Sequence, residues 1–152
     1  MQKTKIESIT TTNYLQFATL LHWRRTGSPN GMNPPEIPAG LDSPHYFLYG
    51  IKVEDQYVGY ISASIIPKPD YRVGTMFIDE LWVAPEYRQR GFAKQLLLKV
   101  IELTSQKALW RLRLYVEPDN RAAIRLYESV GLKNSGSANF MELDCASAPN
   151  IF

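Results

Sequence analysis

Between Val73 and Val116 the chain changes its hydrophobic period twice. "VGTMFIDELWV" (73–83) is rich in aromatic and β-branched residues and reads as a strand. Phe92, Ala93, Leu96, Leu97, Val100, Ile101, Thr104 and Ala108 then recur at steps of three and four, which predicts a helix over about 90–107. "RLRLYV" (111–116) alternates again. A strand, a helix and a strand in that order imply a crossover, with the two strands parallel and the connection right-handed. That excludes an all-helical bundle and an all-β sandwich.

The remaining segments build on this unit. "KIESI" (5–9) reads as an opening strand, and Tyr14, Phe17, Ala18 and Leu21 place a helix over about 12–25. Five of the ten prolines fall between Ser28 and Pro44, with Gly31 and Gly40, so this stretch predicts a long loop with at most a short helical turn, placed to cover a site. Segments 45–53 and 56–66 flank the turn "ED" and form a hairpin leading into 73–83. After the crossover, "EPDN" caps a short helix that ends at Gly131, and a weak last strand is expected at 138–143. The order β-α-β-β-β-α-β-α-β describes an α/β chain with a mixed α+β sheet, an antiparallel meander followed by a β-α-β crossover. At 152 residues, one domain spanning 1–152 with its own core is expected.

Bulk properties narrow the function classes. A net charge of +2 without a basic block gives no ground for a nucleic-acid or membrane-surface partner. Cys145 is the single cysteine, and no Cys/His spacing of a metal site occurs, so no metal is expected. No apolar run approaches the ~18 residues of a membrane span, and "MQKTKIESIT" lacks the apolar core of a signal peptide. The expectation is a cytoplasmic protein.

The chemistry concentrates in "VAPEYRQRGFA" (83–93). Arg88, Gln89, Arg90, Gly91 and Ala93 gather at the mouth of the central helix. A helix N-terminus offers unpaired N–H groups and the positive end of a dipole, and glycine admits a ligand close to the backbone. The spacing matches neither the P-loop nor the dinucleotide fingerprint. By these residues alone, an anion cradle and a solvated strand-to-helix turn both remain open.

The same stretch resembles the central motif of the GNAT superfamily of acyl-CoA-dependent N-acetyltransferases, which runs Val-x-Pro-x-x-Arg, then Gln/Arg-x-x-Gly-x-Gly/Ala. Arg88, Gly91 and Ala93 occupy its last three defined positions. "LYVEPDNRAAIRLYESVGL" (114–132) resembles the next motif of that superfamily, through Asn120, Ala123, Leu126, Tyr127 and Gly131. The resemblance is specific over about 78–132. It implies a GNAT-like fold in which a bulge splays the fourth strand from the fifth, with a cofactor-binding core at about 73–132 and an acceptor side at about 10–66. It also implies acetyl-CoA as cosubstrate. Leu81, Trp82 and Val83 would pair with the pantetheine arm through their main chain. The N–H groups of Gln89, Arg90, Gly91, Phe92, Ala93 and Lys94 would take the diphosphate, with Arg88 and Arg90 at its rim. Asn120 would hold the arm near the thioester, and Tyr127 would stand beside the sulfur.

The implied reaction is direct attack of an amine on the thioester within a ternary complex. An amine of pKa about 10.4 is mostly protonated near neutrality, a deficit of roughly 4 kcal/mol that a base or a desolvating pocket must offset. Asp79 and Glu80 are the candidate bases, with Glu80 preferred; neighbouring strand residues face opposite ways, so both reach the acceptor only if a bulge intervenes. A backbone N–H near Val83 is the expected oxyanion donor and the Tyr127 hydroxyl the expected proton source for the thiolate. The acceptor is a small-molecule or peptide amine, and Asp79, Glu80, Glu36 and Asp42 hint at a cationic or polyamine-like one; Trp23, Trp82 and Trp110 are expected to pack in the core or at its rim, with Trp23 and Trp82 as the alternative walls of an acceptor pocket. A non-catalytic acyl-CoA-binding module of the same fold is the alternative, as monomer or homodimer.

Overall fold

A computed structural model describes residues 2–145. Its sheet has the order β1 (Thr4–Ser8), β2 (Tyr46–Val53), β3 (Gln56–Pro67), β4 (Gly74–Val83) and β5 (Arg111–Arg113). The first four strands form an antiparallel meander, and β4 and β5 are parallel. Helices α1 (Tyr14–Thr26), α2 (Phe92–Gln106) and α3 (Arg121–Ser129) complete the architecture, with short 3-10 turns at Ala39–Asp42 and Pro85–Tyr87. The mixed sheet and the crossover agree with the sequence reading.

Each face of the sheet carries its own core. On one side Ile51, Ile61, Met76, Leu96, Leu97 and Val100 are all fully buried, so the stripe read from the sequence is the contact face of α2. Leu126 and Tyr127 of α3, with Val130 at its C-cap, pack on the same side. On the other side Phe17, Leu20 and Trp23 of α1 pack against Tyr57 and Tyr60 of β3. Phe17 meets both tyrosine rings edge-on, at centroid separations of 5.8 and 5.5 Å. Each of these large side chains contributes about 1.5–3 kcal/mol by leaving water.

Two irregularities shape the strands that border the site. Between Ser62 and Ala63 the β3–β4 register jumps from Glu80 to Ile78, so Asp79 is one extra residue in β4. The second concerns β5, which pairs with β4 only from Thr75 to Phe77. The expected strand 111–116 therefore stops at Arg113: beyond the bulge β4 leads away, and Leu114–Val116 find no ladder to join. The two strands splay as the resemblance implied.

Elsewhere the helices start and stop within a few residues of their expected bounds. The proline-rich stretch is irregular apart from Ala39–Asp42, which turns the 8%-exposed Leu41 into the α1-side core. The weak last strand is a correction. Residues 138–143 form no strand, and Phe140, Met141 and Leu143 are 76–88% exposed. Lys133–Ser137 is polar and glycine-containing, and the short β5 offers too little edge for them to join.

At the far edge Glu7 accepts a hydrogen bond from the Tyr57 phenol and ion-pairs with Lys52 at 3.0 Å and Lys5 at 3.3 Å. The phenol first, then the lysines, pull the Glu7 carboxyl down to about 2 from an ordinary 4.5. Because the folded value is the lower one, the stabilisation is present above the ordinary carboxylate value and lost as pH falls towards the folded one. Discounted for solvent screening at this exposed edge, Glu7→Gln should lower stability by roughly 1–2 kcal/mol at neutral pH, and the gap to wild type should close as pH falls from 4.5 to 2. Thermal midpoints of both proteins across that range check this.

Candidate functional site

The segment Leu81–Val83 lies where β4 has lost β5. Ala84 N–H donates to Val58 O at 2.8 Å, and in an antiparallel ladder alternate residues point their backbone groups the same way. The N–H groups of Leu81 and Val83 therefore point away from β3, into the gap between the splayed strands. Val83 O is taken by Arg88 Nε at 2.8 Å. This free stretch of strand edge leads directly through Ala84 and the turn Pro85–Tyr87 to the mouth of α2.

That mouth is open and uncapped. Gly91 is the N-cap of α2, with φ +82° and no side-chain cap, and the first turn holds no acidic residue. Gln89 also lies in the left-handed region, at φ 61°, so the chain curls tightly ahead of the helix. A Cβ built on Gly91 meets nothing within 4 Å, so the backbone there faces open space. The first regular helical bond is Gln95 N–H to Gly91 O, so Phe92, Ala93 and Lys94 N–H have no partner one turn back. Such a cradle fits a diphosphate.

The arginines serve the loop itself. Arg88 lies over the Trp82 ring at 5.9 Å while it holds Val83 O. Arg90 Nη2 donates to Glu86 O at 3.1 Å, and its guanidinium lies 5.1 Å from the Tyr87 ring centroid. Both stay exposed at the rim. They fix the turn that presents the N–H groups.

Across the gap, Asn120 caps α3 by accepting Ala123 N–H at 3.2 Å. Tyr127 is half-buried against the α2-side core, and burial raises its phenol above the ordinary value, which keeps the hydroxyl protonated at neutral pH. Both residues of the downstream motif thus lie on α3 or at its cap.

On the opposite face of the sheet lies an open cavity of about 290 Å³. Tyr14, Phe17 and Leu21 of α1, Leu41 from the proline-rich loop, and Tyr46 and Tyr60 of the hairpin form most of its wall. Glu80 is its one charged lining residue. Tyr60 Oη donates to Glu80 Oε2 at 2.9 Å, and Arg24 Nη1 lies 3.5 Å from Glu80 Oε1 while donating to Tyr60 Oη. Burial, then the Glu80 hydrogen bond, push the Tyr60 phenol well above its ordinary value.

The bulge resolves the placement of the two carboxylates. Ile78 and Leu81 both pack on the α2 side, so Asp79 and Glu80 between them occupy the step where alternation fails. Tyr46, on the α1 side, has its phenol raised by burial first and then by both carboxylates. Asp79 and Glu80 therefore act on the same face.

Several expectations shift. Glu36 and Asp42 are exposed and do not line the cavity, whereas Trp23, edge-on against Tyr87 in the α1-side core, and Trp82, under Arg88, take the core and rim places expected of them rather than the cavity wall. Sequence reasoning missed Arg24, Tyr46 and Tyr60. The signal for Arg24 lies in the α1 stripe, since Phe17, Leu21 and Arg24 follow one helical face. Among the described residues no group of three or more His, Cys, Asp or Glu is placed to hold a metal, and no helix is long and apolar enough to cross a membrane.

Comparison with known proteins bears on the same architecture. Residues 15–132 match the acetyltransferase (GNAT) family. The chain is 30% identical over 100 residues to YycN, an uncharacterized N-acetyltransferase of Bacillus subtilis strain 168, covering 65% of this chain and 63% of that protein. It is 32% identical over 106 residues to the N-alpha-acetyltransferase RimI of Mycobacterium tuberculosis, covering 68% and 62% respectively. The chain thus spans a little under two thirds of the length of these relatives. A solved structure of the aminoglycoside N-acetyltransferase AAC(6')-Iy in complex with CoA shares the fold, with a TM-score of 0.75 at 20% identity over 95% of this chain and 97% of that one. Because the family match runs through the meander, the crossover and α3 alike, this chain belongs to the acetyltransferase (GNAT) family.

Proposed function

We propose that the protein is an N-acetyltransferase that uses acetyl-CoA to acetylate a primary amine by direct attack within a ternary complex. The observation that carries this reading is the continuity of β4. One strand segment borders the splayed gap and leads to the uncapped helix mouth, and just before it bears Glu80, the carboxylate that lines the cavity. The family membership and the relatives named as N-acetyltransferases support it.

In this reading, residues 73–132 hold the cosubstrate. The N–H groups from Gln89 to Lys94 take its diphosphate, and the free edge of Leu81, Trp82 and Val83 pairs with the amide-bearing arm as an added strand. Asn120, already spent at its Oδ1 on the α3 cap, turns its amide nitrogen to the arm. The thioester supplies an activated acyl group, and this chain's residues order the partners around it.

Glu80, directly or through water, receives the proton that the acceptor ammonium must lose, with Asp79 beside it. The N–H of Val83, free of β3, stabilises negative charge developing on the carbonyl oxygen, a role worth about 3 kcal/mol in comparable sites. Tyr127, kept protonated by burial, hands its proton to the departing thiolate.

Two measurements test the assignment. Asparagine tolerates the left-handed backbone of Gly91 and aspartate has the same shape, so the pair differs chiefly in charge. Gly91→Asp should weaken CoA binding about 10-fold or more relative to Gly91→Asn, as read by calorimetry; equal affinities would move the diphosphate elsewhere. Tyr127→Phe should lower kcat about 10²-fold with CoA affinity nearly unchanged. Wild-type kcat in that variant would leave Tyr127 a packing residue.

A further inference from the structure

If the protein acetylates an amine as proposed, the cavity beside Glu80 decides which amine it takes, and the inference rests on that reading. The cavity walls are almost entirely apolar or aromatic, and the volume of about 290 Å³ lies at the small end for ligand sites. Such walls reward burial of an apolar body. Their side-chain polar partners are the Tyr14, Tyr46 and Tyr60 hydroxyls and Glu80.

The charges close to the cavity nearly cancel. Glu80 lines the cavity, the bulge sets Asp79 beside it between two residues that face α2, and Arg24 lies 3.5 Å from Glu80 Oε1. Two carboxylates against one guanidinium leave a single uncompensated negative charge. Arg24 and Glu80 are 41% and 45% exposed, so the pair adds little to stability. Its effect is on the field inside the cavity. Tyr60, 2% exposed, holds both partners and fixes the guanidinium at that spot.

One ammonium satisfies the remaining charge. A carboxylate has lone pairs enough to accept from Tyr60 and still bind an amine. A second or third ammonium held inside the cavity would meet Arg24 or an apolar wall, because Glu36 and Asp42 lie outside the lining. The acidic residues visible in the sequence therefore do not add up to a polycation site.

We propose that the acceptor is a monoamine with an apolar body of about the size of one aromatic ring, and that Arg24 is the specificity residue that excludes polyamines and aminoglycosides. Specificity of this kind comes from a repulsive element as much as from an attractive one.

The test is thiol release from saturating acetyl-CoA with 2-phenylethylamine, spermidine and kanamycin as acceptors. Wild type should favour 2-phenylethylamine at least ~10-fold in kcat/KM over either polycation. Arg24→Ala and Arg24→Gln should narrow that ratio about 10-fold, and Arg24→Lys, which keeps the charge, should preserve it. Spermidine or kanamycin used as well as 2-phenylethylamine by wild type would overturn the inference while leaving acetyltransfer standing, whatever the variants do. A ratio unmoved by both neutral substitutions would remove Arg24 from the account. If CoA binds and no amine of any class is acetylated, the proposed function itself fails and this inference falls with it.

Discussion

One extra residue in β4 organises everything that surrounds the site. Without Asp79 as a bulge, the strand would continue in register beside β3 and flat against β5, and both of its edges would be spent on ladder bonds. The bulge bends the strand, ends its pairing with β5 after Phe77, and frees the N–H groups of Leu81 and Val83. It also breaks the alternation of side chains, so that two adjacent carboxylates act on one face. A backbone irregularity thus sets the gap on one side and the charge of the cavity on the other. Neither arises from any single side chain.

The loop after β4 shows a similar division of labour. Arg88 and Arg90 look from their charge like the anion-binding residues, yet each has a main-chain carbonyl and an aromatic ring as its nearest business. Gly91, with no side chain at all, leaves the open space. The charged groups hold the turn, and the backbone of the helix start presents the free N–H groups. Such an arrangement costs little reorganisation when an anion arrives, since the N–H groups are already fixed by the adjoining helix.

How much of this the sequence carried depends on the range of the signal. The crossover was legible because the stripe of α2 and the alternation of its flanking strands are local patterns, complete within a window of a few turns. The helix mouth was legible for the same reason. The bulge was not placed, since register is a relation between Ser62–Ala63 and Ile78–Glu80 that neither segment contains by itself. The cavity was less legible still: Tyr14, Tyr46 and Tyr60 come from three elements, and the Arg24–Tyr60–Glu80 network joins residues 36 and 20 positions apart. The expected strand at 138–143 failed for the opposite reason. Its short apolar cluster satisfied a local pattern, but the three-residue β5 gave it no partner.

The sheet also separates the molecule into two compartments, one on each of its faces. Side chains of α1, the proline-rich loop and the hairpin tyrosines lie on one face, and those of α2 and α3 lie on the other. Substitutions on opposite faces touch different neighbours, so their effects should combine almost independently. The wall of the Glu80 cavity can therefore drift in shape and polarity while the helix mouth stays as it is. β2 and β3 also send side chains to both faces, but the bulge of β4 is where the splayed gap and the Glu80 cavity meet on one strand.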